Sequence, residues 1–378
     1  MLHSQGAILP RYDYVIVGSG LFGSIFAREM VDFGRSCLVL ERRGHIGGNC
    51  YTREERGVHV HQYGPHIFHT ESDKVWRYMN RWTTFNDYTH KVRVNYRDRL
   101  LSFPINLITL RQLWGVTTPE EAERKLQEVR IDIDSPQNLE EWILSQVGEE
   151  LYETFVYGYT KKQWGREPRE LPSSIIRRLP IRLTANDNYF KDRYQGIPIG
   201  GYTRIFEQLL EGIPVETGVD YLEAREEVDR QAKRVVYTGP IDEFFGCDKG
   251  ALEWRSLRFE SQWLENTNYQ NIAVVNYTAP EVPHTRIVEH KHFDYTNQPD
   301  TLITMEFPQK WKPKMEKYYP VNDHRNAERY RSYKARIDPM KYVFGGRLAE
   351  YKYYDMHQVV SSALAAVERD QRSGEPTG

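Results

Sequence analysis

The chain has 378 residues, 39% of them hydrophobic and 28% charged, with a formal net charge of −2. That balance excludes a disordered chain and supplies no global positive field to draw nucleic acid. No apolar run reaches bilayer length, residues 1–10 lack a charged-then-apolar leader pattern, and Cys37, Cys50 and Cys247 show no metal-ligand spacing, so a cytoplasmic protein with reduced thiols and no membrane contact is expected.

Residues 11–44 read as strand, glycine turn, helix, strand. Tyr14-Val15-Ile16-Val17 leads into Gly18-Ser19-Gly20-Leu21-Phe22-Gly23, and Cys37-Leu38-Val39-Leu40 ends on Glu41. Gly18 permits a tight turn, Gly20 lets a pyrophosphate approach the backbone, and Gly23 lets helix and sheet pack closely. The helix N-terminus offers free N–H groups to phosphate, and Glu41 has the spacing to accept from a ribose 2′-OH. His45-Ile46-Gly47-Gly48-Asn49 adds a second glycine pair that can bring backbone close to a cofactor. Tyr63 to Thr70 reads as a loop entering a strand and 72–82 as a short helix. His90 to Val94 pairs with Leu100 to Phe103 as a hairpin closed by Pro104.

From about 105 to 165 the pattern turns helical. Thr118-Pro119-Glu120-Glu121 reads as a cap with Pro in the first turn, Ser135 to Glu141 opens a second helix, and Glu149 to Tyr157 forms a third. Pro168, Pro172 and Pro180, among Arg166, Arg169, Arg177 and Arg178, break periodicity, so a mobile loop is expected at about 166–185. A helix from Tyr202 and strands near 214–219 and 234–238 restore an α/β pattern that ends Tyr237-Thr238-Gly239-Pro240. Residues 252–307 alternate as antiparallel strands do. Tyr342-Val343-Phe344 runs into Gly345-Gly346-Arg347, and Met356 to Arg369 forms a closing helix before a frayed tail. The expected fold is α/β. A Rossmann-like FAD-binding domain takes 11–85, 196–245 and 335–370, and a helical lobe spans 105–175. An antiparallel sheet substrate domain takes 86–104, 186–195 and 246–334.

The fingerprint alone does not separate NAD from FAD. A glycine pair soon after the acid, with a late strand-Gly-Gly-Arg, favours a flavin whose pyrophosphate Arg347 can neutralise. His61 and His69 find no third ligand at suitable spacing, so no metal site is expected.

Several further segments carry a resemblance. They are Gly158-Tyr159-Thr160-Lys161-Lys162-Gln163-Trp164-Gly165, Asp187-Asn188-Tyr189-Phe190, Val282 to Ile287, and Gly345 to Met356. With Gly18 to Gly23, His45 to Asn49 and Tyr63 to Thr70, they make the chain resemble the bacterial UDP-galactopyranose mutase family from about Tyr12 to Val367. The resemblance implies an isomerase that uses reduced FAD to interconvert UDP-galactopyranose and UDP-galactofuranose, with no net redox change. Flavin N5 attacks the anomeric carbon, UDP leaves, a covalent flavin–galactose adduct opens, and the sugar re-closes through another hydroxyl.

The resemblance also implies roles. Arg178 and Arg286 clamp the diphosphate, and His66 lies close to the flavin. Phe155, Tyr159 and Trp164 hold the uridine diphosphate, and Tyr189, Tyr319 and Tyr353 bond the diphosphate or sugar side. Arg255 and Asn276 face flavin and sugar, and Asp355 is an acid near the site or, equally, a helix cap. The cofactor falls to Gly18, Gly20, Phe22, Gly23, Glu41, Arg42, Gly48, Asn49, His66, Val219, Arg347 and Met356. A homodimer is implied, with the helical lobe as the place to look for its contact. His90 stands where relatives are expected to carry Asn, and no role is assigned to it. A rival reading is an amine-oxidase-like FAD oxidoreductase sharing the same cofactor domain.

Overall fold

Five parallel strands carry the glycine fingerprint. In a computed structural model describing residues 11–173 and 181–374, their order is Tyr342–Phe344, Ala232–Tyr237, Tyr12–Val17, Cys37–Glu41, Val215–Thr217. Cys37–Glu41 is buried at every residue, as a parallel strand covered on both faces must be. The helix Leu21–Asp32 crosses between the first two strands in the chain and packs on the closing helix Met356–Gly374. Ile25, Phe26, Met30, Phe206, Val360 and Leu364 fill the space between them. All five strands fall within 11–85, 196–245 and 335–370.

A second sheet of seven strands has the order Tyr319–Pro320, Trp254–Leu264, Thr301–Lys310, Arg286–Glu289, Val274–Tyr277, Val92–Tyr96, Arg99–Phe103. Its pairs are antiparallel except one: Val92–Tyr96 runs parallel to Val274–Tyr277. The expected antiparallel sheet is therefore mixed. Antiparallel direction is imposed by short turns, and no short turn joins these two strands, which lie far apart in sequence.

The helical lobe is punctuated by its caps. Asn106 and Thr109 form a reciprocal cap on Leu107–Trp114, and Thr118 and Glu121 do so on Pro119–Val129. The next helix is Leu139–Tyr152, capped by Asn138 rather than opened at Ser135. Gly148, at φ 76°, breaks it just before Glu149, where a side chain would come 2.2 Å from the Val129 carbonyl oxygen. The chain continues through a π-helical turn, Glu153–Tyr157, into Gly158–Trp164. Sequence reasoning missed the hairpin Thr52–Glu55 with Val58–His61 and the polar helix His324–Lys334, whose cap is Asp323.

Of the segment expected to move, the described parts are tied down. Arg166 pairs with Glu253 at 2.8 Å and Asp323 at 3.2 Å, and the Leu171 carbonyl accepts from Leu139 N at 2.9 Å. Arg182 N donates to the Ile105 carbonyl at 3.0 Å.

Candidate active site

The glycine turn and the second glycine pair face each other as bare backbone. A Cβ on Gly48 would lie 3.0 Å from Gly20 Cα, and one on Gly23 would lie 1.9 Å from the Gly18 carbonyl oxygen. Glu41 is buried and holds the turn in place. One carboxylate oxygen takes Ser19 N at 2.9 Å and Ser19 Oγ at 2.7 Å, and the other takes Arg43 N at 2.9 Å. A carboxylate has about four acceptor positions, so one more donor, such as a ribose hydroxyl, can be served. One cavity is lined by all twelve residues expected at the cofactor, from Gly18 to Met356. A cradle of unobstructed backbone at a helix N-terminus suits a dinucleotide, so these residues fit FAD.

The same lining holds residues that sequence reasoning passed over. Arg43 reaches Asn49 Oδ1 at 2.9 Å and Glu316 at 2.6 Å, lies over the Tyr63 ring at 4.2 Å, and keeps one buried guanidinium nitrogen, Nη1, without a partner among the described residues. Arg42 pairs with Glu316 at 3.2 Å. Thr238 joins from the end of its strand, where its hydroxyl donates to the Val17 carbonyl at 2.7 Å. The turn Thr238-Gly239-Pro240 was the one signal that could have found this side.

His66 lines the same cavity. Burial and the nearby Arg347 charge push its imidazole down to about 4, so it is neutral at pH 7. Its Nδ1 lies 2.8 Å from the Gly64 carbonyl, which assigns the proton to Nδ1 and leaves Nε2 as an acceptor. Arg347 donates to the Tyr354 carbonyl at 2.5 Å and lies over the Tyr353 ring at 5.3 Å.

Arg286 lies on the second sheet, and it and Arg347 both act on Tyr353. Its Nη2 donates to the Tyr159 hydroxyl at 2.7 Å, and its Nε is 3.2 Å from the Glu306 carboxylate, in register on the neighbouring strand. Burial opposes the Arg286 charge, but Tyr159 and Glu306 outweigh it and hold the guanidinium well above its usual value. Burial pushes the Glu306 carboxyl up, with Arg286 acting against it. Burial also pushes the Tyr189 phenol up to about 12, and the groups acting on it include Tyr159, Arg286, Tyr353 and Asp355. Tyr319 stacks on Tyr353 at 5.5 Å. Asn276 is opposite Arg286 in register, and its buried Oδ1 has no partner among the described residues.

Arg178 lies outside the described residues. Phe155 is 3% exposed and stacks on Phe103 at 6.0 Å within the hydrophobic cluster of the helical lobe. Its place in the π-helical turn aims it inward. Arg255 gives Nε to the Gln163 carbonyl at 2.8 Å and Nη2 to that of Lys162 at 3.1 Å. A guanidinium satisfies the open carbonyls at a helix C-terminus, so Arg255 supports the turn carrying Trp164. Asp355 occupies the cap position of the closing helix: its N–H donates to Gln358 Oε1 at 2.9 Å, and its carbonyl accepts from Gln358 N at 3.0 Å. Its carboxylate also converges with His69 and His357, so His69 has the two companions that local spacing did not offer. His90 is a wall residue. Its Nδ1 lies 3.1 Å from the Tyr88 hydroxyl, and burial, with Arg286, pushes it down to about 3.

A family model described as UDP-galactopyranose mutase matches residues 154–353, and one described as NAD(P)-binding Rossmann-like domain matches 16–82. The chain is 37% identical to dTDP-fucopyranose mutase of Escherichia coli, over 94% of this chain and 97% of that protein. It is 38% identical to a probable UDP-galactopyranose mutase of Klebsiella pneumoniae, over 94% of this chain and 93% of that one. A solved structure of reduced UDP-galactopyranose mutase is similar in fold, with a TM-score of 0.75 at 15% identity, covering 97% of this chain and 95% of the other.

Proposed function

The chain belongs to the UDP-galactopyranose mutase family, and from that premise we propose that it interconverts UDP-galactopyranose and UDP-galactofuranose with reduced FAD and no net redox change. The observation that carries this reading is the approach of the cofactor cavity to the Arg286–Tyr159–Glu306 cluster: Arg347, which lines the cavity, and Arg286 both act on Tyr353, and Gly64, whose carbonyl holds His66, lies beside Glu306. When bound, a reduced flavin supplies an electron-rich nitrogen nucleophile for the anomeric carbon.

The chain's own residues bind and orient. Arg286 presents a planar fork to diphosphate oxygens and stays charged because Tyr159 and Glu306 face it. As the diphosphate departs it gains negative charge, and a cation already fixed in place stabilises that charge without reorganising. The phenols of Tyr189, Tyr319 and Tyr353 are all shifted upward, so they remain protonated and act as donors to phosphate or sugar oxygens. Arg347 faces the cofactor pyrophosphate, and neutral His66 offers Nε2 to the flavin side. Trp164 and Tyr159 hold the nucleotide end. Arg178 completes the clamp in this proposal. We place the protein in the cytoplasm as a homodimer.

Identity to the dTDP-fucose and UDP-galactose relatives is nearly equal, so the substrate is decided by assay. Dithionite-reduced protein is incubated without oxygen with UDP-galactofuranose or, separately, dTDP-fucofuranose. UDP-galactopyranose as the faster product supports the proposal. Faster conversion of the dTDP-sugar reassigns the substrate. Absence of any pyranose product there, with sugar consumed only in parallel samples given oxygen or NAD, overturns the mutase reading in favour of the oxidoreductase.

A further inference from the structure

We propose that His69, Asp355 and His357 form a three-ligand site for a borderline divalent transition ion of the zinc class, set in the wall of the cleft. One ligand atom from each residue lies within 4.8 Å of the others. Two elements distant in sequence supply them: the strand Phe68–Thr70 brings His69, and the start of the closing helix brings Asp355 and His357.

The support of His69 is what a metal-ligating imidazole needs. Its Nδ1 lies 2.9 Å from Asp192 Oδ2, which leaves Nε2 as the nitrogen for an ion and fixes the tautomer through an outer carboxylate. Its ring is sandwiched in place, parallel to Phe190 at 3.7 Å and edge-on to His357 at 4.9 Å. Such a ring cannot swing freely away from its companions. Two imidazoles with one carboxylate suit zinc, nickel or copper rather than calcium or magnesium, which take oxygen ligands. The positive end of the closing helix disfavours a cation there, and the carboxylates of Asp355 and Asp192 oppose that effect. A fourth position is left for water. Tyr354 and Met356, which flank Asp355, line the cofactor cavity, so an ion at this site would touch the cleft through its own ligand.

The test uses flavin-loaded, chelator-stripped protein and needs no turnover, so its outcome is independent of the proposed reaction. Zinc titration by calorimetry should saturate at one equivalent per chain, and cobalt should give visible absorption of a nitrogen–oxygen site. His357→Ala should abolish both. Asp192→Asn, which removes only the outer carboxylate, should weaken zinc about 10- to 100-fold. Zinc should also raise the thermal midpoint of the parent and leave that of His357→Ala unmoved, which separates lost binding from lost folding. Absence of saturable binding, equal binding by parent and His357→Ala (an adventitious ion only), or unchanged affinity in Asp192→Asn would each overturn the site.

Discussion

The Tyr159 hydroxyl lies 2.7 Å from Arg286 Nη2, joining the helix Gly158–Trp164 to the strand Arg286–Glu289. Glu306 faces the same guanidinium from the next strand at 3.2 Å. One cation is thus fixed from two directions by side chains of two different elements.

Removing the fork should cost more than removing its support. A hydrogen bond to a charged group contributes about 1.5–3 kcal/mol. Tyr159→Phe is therefore expected to lower kcat/KM about ten- to hundredfold, and Arg286→Ala by more. Arg286→Lys should recover little of the loss, because an ammonium cannot bond bidentately. Kinetics of reduced, flavin-loaded variants check this; undiminished turnover by Arg286→Ala removes it from the diphosphate.

Glu306→Ala leaves the half-buried Arg286 without its carboxylate. Breaking a fully buried pair costs about 3–5 kcal/mol. The Arg286 side chain retains 22% exposure, so the lower end of that range is expected. A fall in the thermal midpoint of several degrees, together with weaker nucleotide binding, is the expected result. An unchanged midpoint would show that the pair contributes nothing to the fold.

The glycine turn can be tested by contrast. A Cβ at Gly23 meets the Gly18 carbonyl oxygen at 1.9 Å, and backbone cannot step aside; at Gly44 a Cβ meets nothing within 4 Å. Gly23→Ala should lose bound flavin and stability by about 2 kcal/mol or more, in the range of overpacked cores, while Gly44→Ala stays near neutral. Flavin absorbance per protein and denaturant midpoints decide between them.

Acid should weaken the fold before ordinary carboxylates titrate. His66 is pushed down to about 4 and His90 to about 3, chiefly by burial, from an unfolded value of about 6.5. Between those limits the unfolded chain binds protons that the folded chain does not, so their stabilisation is full above pH 6.5 and declines as pH falls towards the folded values. The thermal midpoint is expected to drop from pH 7 to pH 4, and His90→Asn should flatten that slope. An equally steep slope in the variant would remove His90 from the effect.

How much of this was legible in the sequence depended on distance along the chain. The glycine turn and Glu41 lie within one βαβ unit, where spacing dictates geometry, and the hairpin ending at Phe103 was equally local. Glu306 was invisible because only strand pairing sets it across from Arg286. Glu316 was missed for the same reason: it reaches Arg43 from 273 positions away. The helix His324–Lys334 has too few apolar residues to show a period, although Asp323 caps it. Arg255 shows a partnership equally hidden in the sequence, because its guanidinium bonds to carbonyls at a helix terminus more than ninety positions away. The joint near Val92 could not be assigned a direction from alternation alone, since parallel and antiparallel strands alternate alike.

The most direct measurement compares one preparation in two redox states. Anaerobic turnover of the nucleotide-furanose is followed by chromatography for oxidised protein and, after dithionite, for reduced protein. The account predicts pyranose product from the reduced sample and almost none from the oxidised one, because an electron-poor flavin is a poor nucleophile. Equal rates in both states, or flavin-free protein that still converts the sugar, would contradict it.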